Sequence, residues 1–351
     1  MKTFSEYKNT SKNLSIKESV DSQYTLFPKD KDELRHMIIN EIQKQGNEAD
    51  LNHIDVSNIT DLSKLFEWSE FDGDISKWNV SNVTDMSYTF SNSKFAGDIS
   101  DWDVSNVTDM SYMFYNCKNF NQDLSGWDVS NVINMEGMFS NATNFNGDIS
   151  TWDVRNVRNM NIMFTNSGFA GNLKRWNVKN VKTMGNMFAY CRNFNSDISR
   201  WDVSDVTNMC WMFAKAESFN QDLSKWKVSK VTCMSYMFAF TTFNGNISDW
   251  NVSNVTNMRY MFCKCKSFNQ DLSDWNVSKV TYMDHMFEQC ESFDQNLYGW
   301  DVSEVTDMAS MFEGAKSFNQ DLSSWNVSNV ENHYNMFEKC PCLKEYQPKF
   351  K

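Results

Sequence analysis

Eleven tryptophans recur along this chain at intervals of 24 or 25 residues. They stand at Trp78, Trp102, Trp127, Trp152, Trp176, Trp201, Trp226, Trp250, Trp275, Trp300 and Trp325. Self-similarity at a fixed short period means that each unit buries its apolar side chains against its neighbours, so the period predicts the architecture before local propensity is considered. The chain is therefore a tandem repeat, and its sequence describes the surface it presents better than the partner that binds there.

The repeat extends over most of the chain. Aligned on the tryptophan it reads W-[DN]-V-S-N-V-T-[DN]-M-x-x-M-F, followed by a small residue, a second phenylalanine and a polar turn. Twelve copies align, from Ile54, which replaces the tryptophan of the first copy, to the copy that begins at Trp325. We predict a solenoid with its C-terminal cap over residues 54–345, a disordered polar tail over 1–28, a capping helix and connection over 29–53, and a second tail over 346–351.

The segment before the first copy has the pattern of a helix that covers an open end. Asp30 and Glu33 have the spacing of a capping box, and Gly46 stands where a helix C-cap belongs. A mostly apolar stripe lies between them at helical spacing, at Leu34, Met37, Ile38, Glu41 and Ile42. At the other end Pro341 interrupts the repeat, so we expect the segment 338–346 to close the last copy.

One copy, starting at Trp127, predicts the repeat's internal structure. Trp127, Val129 and Val132 favour a short strand from Trp127 to about Ile133. Four apolar residues then follow at i, i+3, i+4 and i+7, which is one face of a helical turn: Met135, Met138, Phe139 and Ala142. The fold class predicted is an α/β solenoid with short parallel strands on one face and short helical turns on the other.

The repeat also resembles that of a known family. WDVSNVTDMSYMFYNC, the stretch 102–117, is similar to the tryptophan-containing repeat of the BspA-like bacterial surface proteins. That resemblance implies a leucine-rich-repeat-like, right-handed rod or horseshoe, displayed on the cell surface, that binds other molecules without catalysing a reaction. The chain has no classical secretion signal and no sorting segment, so the sequence alone favours an intracellular or non-classically exported protein.

Charge and hydropathy limit the expected partners. The net charge of −12 disfavours nucleic acid and anionic lipid, since both need a basic face. No apolar run is long enough to cross a membrane. We therefore expect no nucleic-acid partner, no membrane insertion and a monomer.

Several repeated columns could carry chemistry, but packing explains each of them better. The methionines occupy inward positions and predict core filler. The cysteine column, made of Cys117, Cys191, Cys265, Cys290 and Cys340, holds alanine in other copies, which indicates a requirement for a small apolar side chain. Nine cysteines argue against a disulfide framework and favour a reducing environment, although Cys265 and Cys290 could come within disulfide reach. No cysteine pairs have zinc-site spacing, so we expect no metal and no cofactor.

A column of acids recurs in the polar turn, at Asp74, Asp98, Asp123, Asp148, Asp197, Asp222, Asp271 and Asp321. Asparagine replaces it at Asn172, Asn246 and Asn296. Because asparagine substitutes freely, the position needs a hydrogen-bond acceptor rather than a negative charge, which favours turn scaffolding over calcium binding. A neighbouring column predicts a similar hydrogen-bonded ladder, at Asn121, Asn146, Asn195, Asn220 and Asn269.

The remaining candidate is a surface. The four histidines belong to no catalytic pattern, and neither a phosphate loop nor a nucleophile elbow is present, so we expect no enzyme. The position two residues after the first methionine points away from the apolar face, and in six copies it is aromatic: Tyr88, Tyr112, Trp211, Tyr236, Tyr260 and His285. We expect these residues to form an exposed ridge that binds protein or glycan. Two alternatives stay open: the rings seal the core, or the protein is a structural spacer without a flank ligand.

Overall fold

The computed structural model describes residues 24–350 of the 351-residue chain. The chain forms two compact units, Met1–Gly171 and Asn172–Lys351. Of the predicted tail at 1–28, residues 1–23 lie outside the described part. Leu26, near its end, forms a parallel β-bridge with Ile54, so residues next to the helix already contact the first copy.

Unit 1 begins with helix α1, Lys31–Gln45, which covers the first copy. Asp30 caps the helix by accepting the Glu33 N–H at 2.9 Å, and Gly46 ends it with φ of +89°. The Glu33 carboxylate accepts the N–H of Lys29 at 2.8 Å, one residue earlier than a capping box requires. The buried side of α1 consists of Leu34, Met37, Ile38, Ile39 and Glu41, which follows the predicted stripe except at half-buried Ile42.

Each unit is a stack of repeats joined by backbone and tryptophan hydrogen bonds. In unit 1 the indole Nε1 of Trp127 donates to the carbonyl of Ile99 at 3.0 Å, one copy back. In unit 2 Trp226 donates to Ile198 at 3.1 Å. Both indoles are only 3 % exposed, and neighbouring indoles stack about parallel, as in Trp226 and Trp250 at 6.3 Å. The tryptophan period therefore arises from a buried ring that packs on, and bonds to, the adjacent copy.

The methionine and phenylalanine columns form the core of each unit. Met110, Met113 and Phe114 have no solvent exposure, and Phe114 stacks on Phe120 of its own copy at 3.9 Å. It also stacks on Phe139 of the next copy at 5.5 Å. The prediction that methionine fills the core is confirmed.

The segment that contains these residues, Met110–Cys117 in one copy, is a run of tandem turns. Alternate N–H groups bond three residues back: Met113 to Met110, Tyr115 to Tyr112 and Cys117 to Phe114, at 3.0–3.2 Å. The other N–H groups, of residues 110, 112, 114 and 116, donate to carbonyls of residues 134, 136, 138 and 140 in the next copy. Two residues of each such segment have left-handed backbone, here Tyr112 with φ of 55° and Asn116 with φ of 54°. We call these stretches the tandem-turn segments.

The strand and helical turn predicted inside each copy are both wrong in detail. Between Gly46 and Leu343 the described chain contains no helix, and isolated bridged residues, such as Asn134, replace the strand predicted from Trp127. Asp128 accepts the N–H of Ser130 at 3.0 Å, which turns the backbone where a strand needs it extended. The left-handed residues stop a helix, because a backbone with positive φ does not continue a right-handed turn, as at Tyr112 and Asn116.

At its C-terminal end unit 2 closes with a segment that carries a short 3₁₀ helix, Lys344–Tyr346. The carbonyl of Tyr346 accepts the Leu322 N–H at 2.8 Å. In another copy the equivalent N–H, that of Leu124, donates to Asp148 of the following copy. Phe350 stacks on His333 at 4.0 Å. The part of the predicted second tail that is described thus packs on the last copies.

Candidate binding surface

All six aromatic residues of the predicted ridge lie at the first left-handed position of a tandem-turn segment. Their φ values run from 55° to 62°. Tyr88 and Tyr112 belong to unit 1, and the other four belong to unit 2. Each side chain is half-buried, between the fully exposed position and the sealed core that the sequence left as alternatives.

In unit 2 four rings from four successive copies form one continuous stack. Trp211 and Tyr236 have ring centroids 3.9 Å apart, Tyr236 and Tyr260 4.3 Å, and Tyr260 and His285 4.2 Å. Interplanar angles are 7–14°, so the rings are nearly parallel. We call Trp211, Tyr236, Tyr260 and His285 the aromatic ridge. Since the ring faces cover one another, the ridge presents ring edges and polar ends to a partner.

In unit 1 the column gives only a pair. Tyr88 and Tyr112 stack at 4.7 Å, and the Tyr112 hydroxyl donates to Glu136 Oε1 at 2.9 Å. The next copy has Gly137, where an added Cβ would lie 2.6 Å from the Tyr112 ring. The ring therefore packs flat on the glycine, and the stack ends there.

Acidic groups fix the His285 end of the aromatic ridge. His285 Nδ1 lies 2.7 Å from Glu288 Oε2, and this hydrogen bond holds the pKa of the Glu288 carboxyl below its usual value. Arg259 Nε donates to Asp284 at 2.9 Å, while burial raises the Asp284 pKa. Asp284 also accepts the Tyr260 N–H through its carbonyl at 3.0 Å, so the backbone under the ring is held from the next copy.

The tyrosines of the ridge are neutral hydrogen-bonding groups. Burial is the largest cause that raises the pKa of both Tyr236 and Tyr260, and nearby phenol and carboxylate groups raise that of Tyr260 further. Both hydroxyls therefore keep their protons at neutral pH. A side-chain hydrogen bond joins them, and it raises the Tyr260 pKa and lowers that of Tyr236, so the Tyr260 hydroxyl donates to Tyr236. The Tyr236 hydroxyl can donate to an acceptor on a ligand.

A disulfide lies directly before the ridge. Cys210 bonds to Cys233 with their Cα atoms 5.6 Å apart, which joins the residue before Trp211 to the copy that carries Tyr236. The argument against a disulfide framework did not foresee this bond, and the pair that the sequence left open, Cys265 and Cys290, consists of two free thiols. The available sequence signal was that Cys210 and Cys233 stand outside the small-residue column. The neighbouring copies hold Gly185 and Ser235 at the position of Cys210, and Asn208 and Asn257 at that of Cys233.

A second column, which the sequence reasoning missed, occupies the other left-handed position, four residues after the ridge. The Lys215 ammonium lies 4.7 Å from the Tyr190 ring centroid and 5.2 Å from that of Phe240. The Lys264 ammonium lies 5.0 Å from the centroid of the same Phe240 ring. We call Tyr190, Lys215, Phe240 and Lys264 the lysine-aromatic column. It forms because equal positions in successive copies stack, so that rings and ammonium groups alternate.

The acid column is turn scaffolding, as predicted. Asp148 Oδ1 accepts the N–H of Ser150 at 2.8 Å, and in another copy Asn246 accepts that of Ser248 at 3.0 Å. The backbone N–H bond lowers the Asp148 pKa. The asparagine ladder is also confirmed, since the N–H of Asn146 donates to Asn121 Oδ1 at 2.7 Å. Within residues 24–350 no three His, Cys, Asp or Glu side chains are grouped to hold a metal ion.

Comparison with known proteins connects these repeats to a family. The family described as "Mycoplasma protein of unknown function, DUF285" matches four overlapping stretches, 33–147, 92–172, 165–252 and 239–350. The chain belongs to the DUF285 family. The search of curated proteins found no match.

Solved leucine-rich-repeat proteins resemble the DUF285 chain only distantly. One, from Eubacterium ventriosum, is 13 % identical with a TM-score of 0.40, and the match covers 83 % of this chain and 76 % of that one. Another, from Bacteroides ovatus, is 13 % identical with a TM-score of 0.31, covering 83 % and 77 %. Similarity at this level decides nothing further, and the repeat stack rests on the hydrogen bonds between copies described above.

The asparagine and threonine columns of this DUF285 chain form a polar face. In unit 1 they line a groove of about 460 Å³ at Asn106, Thr108, Asn131, Ile133, Asn156 and Arg158. Asn106 Nδ2 donates to the Ser81 carbonyl at 2.7 Å, so this side chain bonds to the previous copy. The only α-helix in the described range, α1, is too short and too polar to cross a membrane.

Proposed function

We propose that this protein is a non-catalytic recognition or adhesion protein that binds protein or glycan through the aromatic ridge of unit 2. The observation that carries the proposal is the continuous stack of Trp211, Tyr236, Tyr260 and His285, half-buried and open along one edge. Aromatic side chains with a polar end contribute large contact area at low entropic cost, which is why they concentrate at binding sites.

Backbone energetics support this choice. Each ridge residue has a left-handed backbone, which costs an L-residue about 1–2 kcal/mol where glycine would adopt it freely. Other copies place Gly137 and Asn186 in this column, so the fold tolerates side chains that adopt the conformation more easily. A run of four rings at such positions therefore goes beyond what the repeat itself requires.

The resemblance to BspA-like surface proteins is part of the proposal, and it favours display on a cell surface. The Cys210–Cys233 disulfide is in keeping with an oxidising compartment. We further propose a monomer without cofactor, without a nucleic-acid partner and without membrane insertion. The alternative function, a structural spacer, gains support if the ridge binds nothing.

The test is binding to glycan and host-protein arrays. The intact chain is compared with a variant carrying Trp211→Ala, Tyr236→Ala and Tyr260→Ala. The matched control carries Tyr88→Ala and Tyr112→Ala, which removes stacked rings from the same column of unit 1. Each variant must retain the circular dichroism of the parent, so that lost binding does not reflect lost fold.

We expect a specific ligand that the triple variant loses and the control keeps. A ligand that both variants retain would place recognition on another face and contradict the proposal. If no protein or glycan binds the intact chain, the spacer function replaces it.

A further inference from the structure

Two lysines beside the aromatic ridge have aromatic rings as their close partners. The Lys215 ammonium is flanked by Tyr190 and Phe240, and that of Lys264 lies over Phe240. Neither forms an ion pair within 4.0 Å among residues 24–350, unlike Lys182, Lys230 and Lys266 of the same unit. Both side chains are half-buried, so the rings fix the positions of the charges while leaving them open to solvent on one side.

The acids on this face are already engaged. Glu288, the acid that influences Lys264, holds its carboxylate 2.7 Å from His285 Nδ1. Glu217 pairs with Arg192 at 3.5 Å, and Asp284 is buried against Arg259. On a chain of net charge −12, two fixed ammonium groups that form no ion pair within 4.0 Å make a local cationic strip, and the charge of Lys264 also lowers the Glu288 pKa. Charge complementarity calls for an anionic ligand.

The column has a second regularity, which is alternation. Tyr190, Lys215, Phe240 and Lys264 come from four successive copies, so a charge recurs at every second copy. With neighbouring copies about 4.8 Å apart, the two ammonium groups are spaced by about 10 Å. The length of a pyranose unit is close to the spacing between neighbouring copies. A sugar chain with an anionic group on every second unit therefore matches both the spacing of the copies and the spacing of the two ammonium groups.

We propose that the lysine-aromatic column and the aromatic ridge together bind a linear polysaccharide in which uronic acid residues alternate with uncharged sugars. This assignment rests on the proposed function and specifies its ligand. The uronate carboxylates pair with Lys215 and Lys264. The sugar hydroxyls accept hydrogen bonds from the Tyr236 hydroxyl and the Trp211 indole along the ridge.

An acidic polypeptide fits this surface less well. An extended chain advances about 3.3 Å per residue and its side chains alternate between two faces, so they fall out of step with copies spaced about 4.8 Å apart. Single-stranded nucleic acid would need ring faces on which to stack its bases, and here the rings stack on one another.

The test is calorimetric titration of the full chain with a hyaluronan octasaccharide, a sugar of this alternating type. Lys215→Met with Lys264→Met should weaken binding about tenfold, as two exposed ion contacts are removed. Lys215→Arg with Lys264→Arg should retain binding, because arginine keeps both the charge and the ring contact. Lys182→Met with Lys230→Met is the matched control: it removes the same charge from a pair bound to Asp205 and should bind like the parent.

Competing polyanions test whether the surface selects a polysaccharide over an acidic polypeptide or a nucleic acid. Poly-glutamate and single-stranded DNA, titrated under the same salt, should bind at least tenfold more weakly than hyaluronan. The proposal is overturned if either polyanion binds as tightly, or if the methionine variant and its control lose affinity equally. If hyaluronan does not bind while the arrays give another ligand lost in the Trp211, Tyr236 and Tyr260 variant, the sugar assignment fails and the recognition function stands.

Discussion

Left-handed residues recur in every copy of this chain and carry a local energetic cost. Each tandem-turn segment contains two, four residues apart, and their N–H groups bond to the next copy. Asparagine occupies several of these positions, as at Asn116 and Asn141, since its side chain can hydrogen-bond locally. Tyrosine, lysine and isoleucine occupy others, so the repeat-to-repeat hydrogen bonds must impose a conformation that those residues do not favour.

Ile162 is the least suited of these residues, because it is β-branched and has φ of 49°. We expect Ile162→Asn to raise the free energy of unfolding by about 0.5–1 kcal/mol, as relief of the left-handed penalty outweighs the loss of a half-buried side chain. Urea midpoints of parent and variant measure it. Ile133→Asn is the control, since Ile133 is 45 % exposed and is not left-handed. Equal midpoints for parent and Ile162→Asn would contradict the strain argument.

At the scale of the element, the tandem-turn segment explains what the sequence could and could not predict. The tryptophan period correctly predicts stacked copies, because only a repeated contact between neighbours demands it. The spacing of Met135, Met138, Phe139 and Ala142 suits a helical face and successive turns alike, since both bring residues three and four apart to one side. Only the residues between these four distinguish a helix from successive turns. Tyrosine or lysine at a left-handed position does not reveal that conformation in the sequence.

The same ambiguity hid half of the candidate site. Stacking of Trp211, Tyr236, Tyr260 and His285 follows from their shared column, so their contact was predictable. Their burial was not, because a helix would have pointed them straight to solvent. The lysine-aromatic column lies at the second left-handed position. A helical interpretation places this position on the surface without indicating that lysines and rings from successive copies contact one another.

The disulfide is the other element whose effect can be measured. Cys210 and Cys233 close a loop with a sequence separation of 23, which stabilises by about 3 kcal/mol through the entropy of the unfolded chain. We expect reduction with dithiothreitol to lower the unfolding midpoint, and Cys210→Ser with Cys233→Ser to match the reduced parent. Dithiothreitol should not shift the double variant further, as its remaining cysteines are free thiols. An unchanged midpoint for the reduced parent would count against a stabilising bond.

At the scale of the whole molecule, one turn repeats in both units and makes stability depend on pH. The N–H of the serine two residues on is the largest cause that lowers the pKa of Asp98, Asp148, Asp222 and Asp271. A carboxyl whose pKa is lower in the folded state binds fewer protons there than in the unfolded chain. Its contribution is therefore complete above the unfolded aspartate value of about 3.9 and is lost as pH falls through the folded value.

Because the contributions recur copy after copy, we expect the urea midpoint to fall steeply below about pH 4. Asp148→Asn, Asp222→Asn and Asp271→Asn together should flatten this fall while leaving the midpoint at pH 7 nearly unchanged, since Asn246 accepts the same turn bond in its own copy. The control replaces the exposed Asp101, Asp249 and Asp274, which change the charge equally but accept no such bond. Acid curves that run parallel in the two triple variants would show that net charge, rather than the turn acceptors, sets the acid limit. A flattened curve in the first variant alone would show that the turn acceptors set the acid limit of stability.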